Sequence, residues 1–429
     1  MMTVGRFSLQ GMKSITTFAE NLIAMKKFII LIAAGVLAIA SASSKGYENP
    51  TGKEFPILGW YSIQHGGVTP ERFKEMRECG FNISFSTYPT KEDMAAVLDA
   101  AKGSGVKVMV STYDLPDNTT EVVNYLKHYN NIAGWFLRDE PTAHSFADLR
   151  AFRDRVEAAD SSRMTYLNLF PFWVDANALG THSYEEYVQR FSDEVDLPYI
   201  SYDCYPVVKW DGRVQLRPGY YENLEIIRNV ARSKNKPFWA FTLSTSHGDY
   251  PVPTREHLRI QAFSDLAYGA QCIQYFTYYT PVNTGEPWTY HDGPINAMRN
   301  RAPVYDLVKQ QNREIQNLSK VFLGAEAVDV WHTGQLPRGT TALPAGALPK
   351  PFTSVEADGQ GVLVSHLVNG KKEYLMILNR DIDNAQTVTM ERISDVSRIT
   401  PDGKQHKTTP AEDRSVKVAP ADYLLYRIK

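Results

Sequence analysis

An apolar run from Ile132 to Leu137 ends abruptly in Arg138, Asp139 and Glu140, and Pro141 cuts it off. Two adjacent carboxyls and a guanidinium where a buried strand stops are costly to desolvate unless they are used. The chemistry such a set suits is proton transfer. Like-charge repulsion from Asp139 favours a protonated Glu140, and Arg138 could orient either group. A salt-bridged strand end, with Pro141 simply opening the next loop, is the competing structural reading. Side chains alternate along a strand, so Asp139 and Glu140 are expected to point differently and only one to reach a ligand.

Residues of this kind need a scaffold, and the chain carries an eightfold rhythm. Short apolar runs begin at Phe55, Phe81, Val106, Ile132, Met164, Tyr199, Pro237 and Ile273, each reading as a strand buried on both faces. Helical segments separate them, with start signals at Thr69 before Pro70, at Thr90, at Ser183 with Glu186 as a capping box, and at Thr254. The pattern predicts an α/β fold: a (β/α)8 TIM barrel over residues 52–324. From 325 to 429 the rhythm gives way to alternation around an Asn369-Gly370 turn, predicting a small antiparallel β domain. A doubly wound open sheet fits less well, because no G-x-G-x-x-G follows the first strand.

Barrels of this type do chemistry at the carboxyl ends of their strands. Read in order, those ends offer Trp60 and Tyr61, then Tyr88, then Tyr113 and Asp114, then Arg138 to Glu140, then Asn168, then Asp203 and Tyr205. The seventh ends in Thr242 to His247 and the eighth in Tyr278 and Tyr279, followed by a loop with Glu286, Trp288, His291 and Asp292. Aromatic rings stack on the C–H faces of sugars while carboxylates and amides bond their hydroxyls, so the set suits a carbohydrate. Any one of these rings can equally fill a core gap.

Cleaving a glycosidic bond takes a protonated acid at the leaving oxygen and a second carboxylate that attacks the anomeric carbon or activates water. Glu140 fits the first role. For the second, Asp203 is the leading candidate and Asp249 the reserve; Asp203 reads equally well as a buried structural acid, and Asp114 as ordinary turn chemistry. Strand ends four and six are expected to stand at the wider spacing of an inverting pair, about 6.5–9.5 Å.

With these residues in view, the chain from about Phe55 onward resembles glycoside hydrolase clan A, and most the β-galactosidase-like enzymes of polysaccharide-degrading bacteria. The likeness rests on "RDEP" at 138–141, on "YISYDCYPV" from Tyr199 and on the closing "APADYLLYRIK". It implies Glu140 as acid/base. The clan's nucleophile, a Glu ending the seventh strand, has no counterpart in "PFWAFTLSTSHGDYP", whose first carboxylate is Asp249. Three explanations stay open: Asp249 substitutes, Asp203 is the partner, or the barrel is a non-catalytic module that binds carbohydrate without cleaving it.

Composition narrows the classes. The 429 residues carry 46 basic and 48 acidic side chains, a formal charge of -2 with no long block of either sign, which gives no basis for a nucleic-acid partner. Lys26 and Lys27, the run "FIILIAAGVLAIA" and Ala40-Ser41-Ala42 have the three parts of a secretory signal peptide over 25–42, so export to a periplasm or beyond is expected, with no membrane span in the mature chain. Residues 1–24 read as an extension or a misassigned start. Cys79, Cys204 and Cys272 lie in or beside apolar runs and read as buried hydrophobes; neither a metal site nor a cofactor is implied. No G-x-S-x-G supports serine chemistry around His247. Oligomeric state is not legible.

Overall fold

The computed structural model describes residues 46–282 and 284–429; the expected leader at 25–42 and the extension before it lie outside the described residues. Eight parallel strands carry the rhythm: β1 (Ile57–Trp60), β2 (Ile83–Phe85), β3 (Lys107–Val110), β4 (Ile132–Asp139), β5 (Met164–Asn168), β6 (Ile200–Tyr202) and, after a hairpin of β7 (Val207–Trp210) with β8 (Arg213–Leu216), β9 (Phe238–Leu243) and β10 (Cys272–Phe276). They pair in the order β5-β4-β3-β2-β1-β10-β9-β6. A parallel bridge between Leu169 and Tyr202, with the Leu169 N–H on the Ser201 carbonyl at 2.8 Å, joins the two ends and closes the ring.

The barrel interior is packed with rings. Trp60 lies 4.0 Å from Phe85, 5.8 Å from Phe136 and 5.4 Å from Phe241 (ring centroids), and Phe136 5.9 Å from Tyr166, so one aromatic layer ties five strands together beneath the mouth. The helices outside begin where hydroxyl residues accept their first amides. Thr69 receives the Arg72 N–H, and Thr90 forms a capping box with Asp93. Ser183 receives the Glu186 N–H, but the Glu186 carboxylate turns to the His182 N–H at 2.8 Å rather than closing the expected box on Ser183.

The last barrel helix, Pro303–Asn317, leads into antiparallel β structure. β11 (Glu326–His332), β13 (Val362–Asn369), β14 (Lys372–Asn379), β16 (Val396–Ile399), β17 (Gln405–Thr408) and β19 (Tyr423–Arg427) form one sheet; β12 (Phe352–Ala357), β15 (Gln386–Arg392) and β18 (Ser415–Val418) form the other. The tight turn sits one residue later than the sequence suggested. Asn369 pairs with Lys372, leaving Gly370 (φ 61°) and Lys371 as the loop, because the Asn369 amide is held as a strand end by the carbonyls of Val321 and Leu323 at 3.0 and 2.8 Å. A buried ion network fixes this domain to the barrel: Arg259 is bidentate on Glu314 at 2.7 and 3.1 Å and reaches Asp422 at 2.6 Å, while the Tyr423 hydroxyl donates to Glu314 at 2.6 Å.

Gly134 in β4 is required by close packing, not by backbone angle. A Cβ there would stand 2.7 Å from both the Met164 side chain and its carbonyl, and 3.0 Å from Met109 Sδ. Gly134→Ala should therefore cost about 1–3 kcal/mol in denaturant unfolding, from strands three to five being forced apart.

Candidate active site

With regular alternation, a β4 whose Phe136 points inward would turn Asp139 outward. A register shift between Phe136 and Arg138 inserts one extra residue, so that Phe136 pairs with Tyr166 and Asp139 with Asn168. Phe136 and Asp139 therefore both face the barrel axis and Arg138 faces away. Arg138 is exposed and forms no ion pair among the described residues, so it does not orient the acids as its position in sequence suggested. Glu140 leaves the strand in a left-handed conformation (φ 44°), with its N–H on the Asn168 carbonyl at 2.9 Å. That turn brings Glu140 back beside Asp139, and the expected divergence of the two neighbours does not occur.

Asn168 is the hub. Its Nδ2 donates to Asp203 at 3.1 Å and to Asp139 at 3.4 Å. Its Oδ1 accepts from the Ser201 hydroxyl at 2.9 Å; Ser201 accepts from Gln274 Nε2 at 2.9 Å, and Gln274 Oε1 accepts from the Tyr166 hydroxyl. This buried chain fixes which way the Asn168 amide points, so its N–H groups face the acids. Asp203 and Glu140 stand within hydrogen-bonding reach of each other.

Burial raises the pKa of all three carboxyls. Asp203 is buried and is pushed well above the usual carboxylate range by desolvation, then by the negative charges of Glu140 and Asp139. Desolvation also raises Glu140, against a hydrogen bond with Asp203 that lowers it, so the pair titrates as a unit. Asp139 is pushed up to about 7 by desolvation and by Glu140, although the open mouth still admits water to it, which makes its dehydration incomplete. Three acids crowded in this way retain at least one proton near neutrality.

Rings wall the space above. Tyr205 lies 5.8 Å from both Tyr250 and Phe276, and His247 lies 4.8 Å from Tyr250, 4.6 Å from Tyr290 and 5.9 Å from Trp288. Burial lowers the pKa of His247, keeping the imidazole neutral. Tyr61, at φ 48°, and exposed Tyr113 line the rim together, and Trp288 is 42% exposed on the loop after β10, the strand beside β1. Trp60 belongs to the floor beneath the acids.

Several expected site residues lie elsewhere. Tyr88 is buried with its hydroxyl on the Ile63 carbonyl, and Tyr278 is buried against Phe81 at 5.0 Å, so neither can touch a ligand. Asp114 stays in the turn before the helix Thr119–Leu126 and joins none of the three acids. Asp249 is exposed in the tight turn between His247 and Tyr250, bound through its backbone to Lys209, and is not brought to the cluster. Asp203 is brought there, but the expected 6.5–9.5 Å gap to Glu140 is overturned by their contact, because Asn168 holds Asp203 at the cluster and the left-handed turn folds Glu140 back toward it.

Sequence reasoning missed Tyr250, Phe276 and Tyr290 as wall residues, Gln274 and Ser201 as the relay under Asn168, and Arg217 beside Trp173. Glu286 was read only as part of a loop. Its carboxylate accepts from the Tyr290 hydroxyl and lies electrostatically close to Tyr61 and His247. The only available signal was position in strand order, since β10 stands fourth from β4 around a ring of eight.

Residues 169–318, from the end of β5 through the last barrel helix, match the family described as Beta-galactosidase (Glyco_hydro_42). The likeness to β-galactosidase-like glycoside hydrolases therefore holds over that segment. Among solved structures, a catalytic mutant of a GH42 β-galactosidase from G. stearothermophilus is similar in fold at a TM-score of 0.59 and 9% identity, over 89% of this chain and 99% of that one. A family 39 glycoside hydrolase from Bacteroides cellulosilyticus WH2 is similar at 0.51 and 10%, over 90% and 83%. A β-galactosidase from the psychrophilic Marinomonas ef1 matches at 0.46 and 12% over 62% of this chain, which spans 60% of that protein's length. No curated protein matches the sequence. A (β/α)8 barrel followed by an antiparallel β domain is thus the fold.

The raised pKa values have a consequence for stability. A carboxyl whose value is higher in the folded state favours folding most below its unfolded value near 4, and that advantage is lost as pH rises through the folded value. Asp139→Asn should therefore gain stability relative to the parent as pH goes from 5 to 8. The expected shift is on the order of 1–3 °C in thermal midpoint, kept small by the water reaching Asp139. A gain that is equal at both pH values would show that Asp139 carries no shifted proton.

Proposed function

We propose that the protein is an exported glycoside hydrolase in which Glu140 is the general acid. The observation that carries this reading is the group of three carboxyls, Asp139 and Asp203 on Asn168 and Glu140 against Asp203, at the mouth of a barrel walled with aromatic rings. The family match supports glycosidic bond hydrolysis as the reaction class. Glu140 gives its proton to the leaving oxygen as the C–O bond breaks. Asp203, too close to Glu140 to attack a sugar between them, raises the proton affinity of the pair rather than acting as nucleophile. The 25–42 segment motivates export.

For the second carboxylate we assign Glu286. Its loop follows β10, which stands across the ring from β4, so the two acids approach a sugar from opposite sides. The Tyr290 hydroxyl holds it, and the Tyr290 ring packs on His247. In this reading water attacks the anomeric carbon and yields its proton to Glu286.

A second reading, a barrel that binds carbohydrate without cleaving it, is favoured by the carboxylate-free end of β9. There Ser244 donates to the Thr277 carbonyl at 2.7 Å and Thr245 shares a hydrogen bond with the Thr277 hydroxyl at 2.8 Å. Release of reducing sugar separates the two.

On a panel of alkyl and nitrophenyl glycosides, Glu140→Gln should lower kcat by about 10²–10⁴-fold, more for alkyl leaving groups, which need the proton, than for nitrophenyl ones. Parental rates in that variant would end the assignment. Glu286→Ala should lose at least about 100-fold and regain turnover with added azide. Parental kcat should fall as pH rises through the elevated Glu140 value, because the acid must be protonated to act.

A further inference from the structure

Arg217, between the β7–β8 hairpin and the helix Tyr220–Ser233, is an unneutralised cation one ring away from the acids. Its guanidinium lies 4.4 Å from the Trp173 ring and 5.9 Å from the Tyr250 ring, and its Nη2 donates to the Tyr250 hydroxyl at 3.3 Å. Tyr250 in turn packs against Tyr205, two residues beyond Asp203. The Arg217 Nε is buried with no hydrogen-bond partner, and no carboxylate forms an ion pair with this side chain among the described residues. Arg259, Arg380 and Arg392 also have a buried Nε without a partner, but their Nη atoms meet carboxylates or backbone carbonyls, as those of Arg217 do not. Arg72 and Arg301 pair with Glu75 at 2.7 and 2.8 Å, Arg338 with Glu222 at 2.5 Å, and Arg299 bonds the Gly66 carbonyl at 2.7 Å.

We propose that Arg217 is the recognition group for an acidic sugar, the carboxylate of a uronic acid residue meeting the guanidinium fork while Trp173 and Tyr250 hold the fork in plane. Stapling two rings together does not require a cation, and a buried N–H left without an acceptor costs about 1–3 kcal/mol unless a ligand supplies one. Arginine's fixed fork of donors matches a planar carboxylate better than any other side chain does. The charge layout agrees: three acids crowding the mouth repel an anionic sugar, so such a sugar is admitted only where a neighbouring cation anchors it and sets its orientation. This inference rests on the hydrolase reading for the placement of the sugar, since the anchored ring would present its glycosidic oxygen toward Glu140.

The test uses the full chain carrying Glu140→Gln, titrated by tryptophan fluorescence with 4-nitrophenyl β-D-glucuronide and β-D-galacturonide, and with the corresponding glucoside and galactoside. At least one uronide should bind ten-fold or more tightly than its neutral partner, with the preference shrinking as salt is raised. Adding Arg217→Gln should remove that preference without weakening the neutral glycosides comparably, and Arg217→Lys should retain part of it. Equal binding of acidic and neutral partners, a preference that survives Arg217→Gln, or tighter binding of galactose 6-sulfate than of either uronate would overturn the proposal. Its failure is distinct from that of the hydrolase reading. A missing uronide preference with turnover that still depends on Glu140 removes only this inference; a uronide preference with no turnover by the parent protein removes only the hydrolase reading, and one with turnover indifferent to Glu140 removes only the Glu140 assignment.

Discussion

Asn168 offers one amide nitrogen with two hydrogens to Asp139 and Asp203, and a third carboxyl, Glu140, crowds against Asp203. One of them, Asp203, is buried, so water cannot make up the deficit there. Charges that close, in a medium less polar than water, cannot all be ionised together, and the cluster keeps a proton that isolated carboxyls would have released at neutral pH. The arrangement survives because Asn168 cannot turn. Ser201 and Gln274 occupy its oxygen side, and Gln274 is held by Tyr166 in the aromatic layer below. Barrel packing and proton affinity are therefore one problem, since loosening the layer would free the amide and relax the acids.

The local geometry of β4 carries the same cost. An inserted residue redirects Asp139 inward and a left-handed Glu140 folds back beside it, two departures from regular strand structure within four residues. Non-glycine residues in that conformation are held at a cost of about 1–3 kcal/mol and persist only when the surroundings over-determine them. Tyr61, at the end of β1, shows the same conformation on the same rim. A core tied to an antiparallel domain through the buried Arg259–Glu314–Asp422 network is the kind of scaffold that can hold such strain.

The scaffold was legible because it is written in periodicity: runs buried on both faces, separated by capped helices, have few closed solutions. Glu140 was legible because charge at a strand end is conspicuous. What escaped was set by geometry between distant segments. No local pattern reveals that an extra residue in β4 reverses Asp139, or that a left-handed Glu140 folds back against Asp203 rather than leaving a gap. Tyr88 and Tyr278 looked like site residues because strand ends also supply the core, and only burial separates the two uses. Tyr250 and Tyr290 escaped for the opposite reason: they sit in loops, where sequence spacing does not report direction.

The hydroxyl-lined end of β9 takes its meaning from what it bonds. Ser244 and Thr245 both tie to Thr277 at the start of the loop after β10, and Ser246 pairs with His291 through two backbone hydrogen bonds at 2.9 and 3.0 Å further along that loop. The seventh strand thus serves to anchor the eighth loop at both ends. An acid carried by a loop is positioned less sharply than one on a strand, because fewer packed neighbours restrict it. Here the restriction is supplied by Tyr290, whose hydroxyl meets Glu286 while its ring packs against His247 and Phe276. Keeping His247 neutral follows from the same packing: a charged imidazole in that wall would draw Glu286 toward itself and out of the space a sugar would occupy.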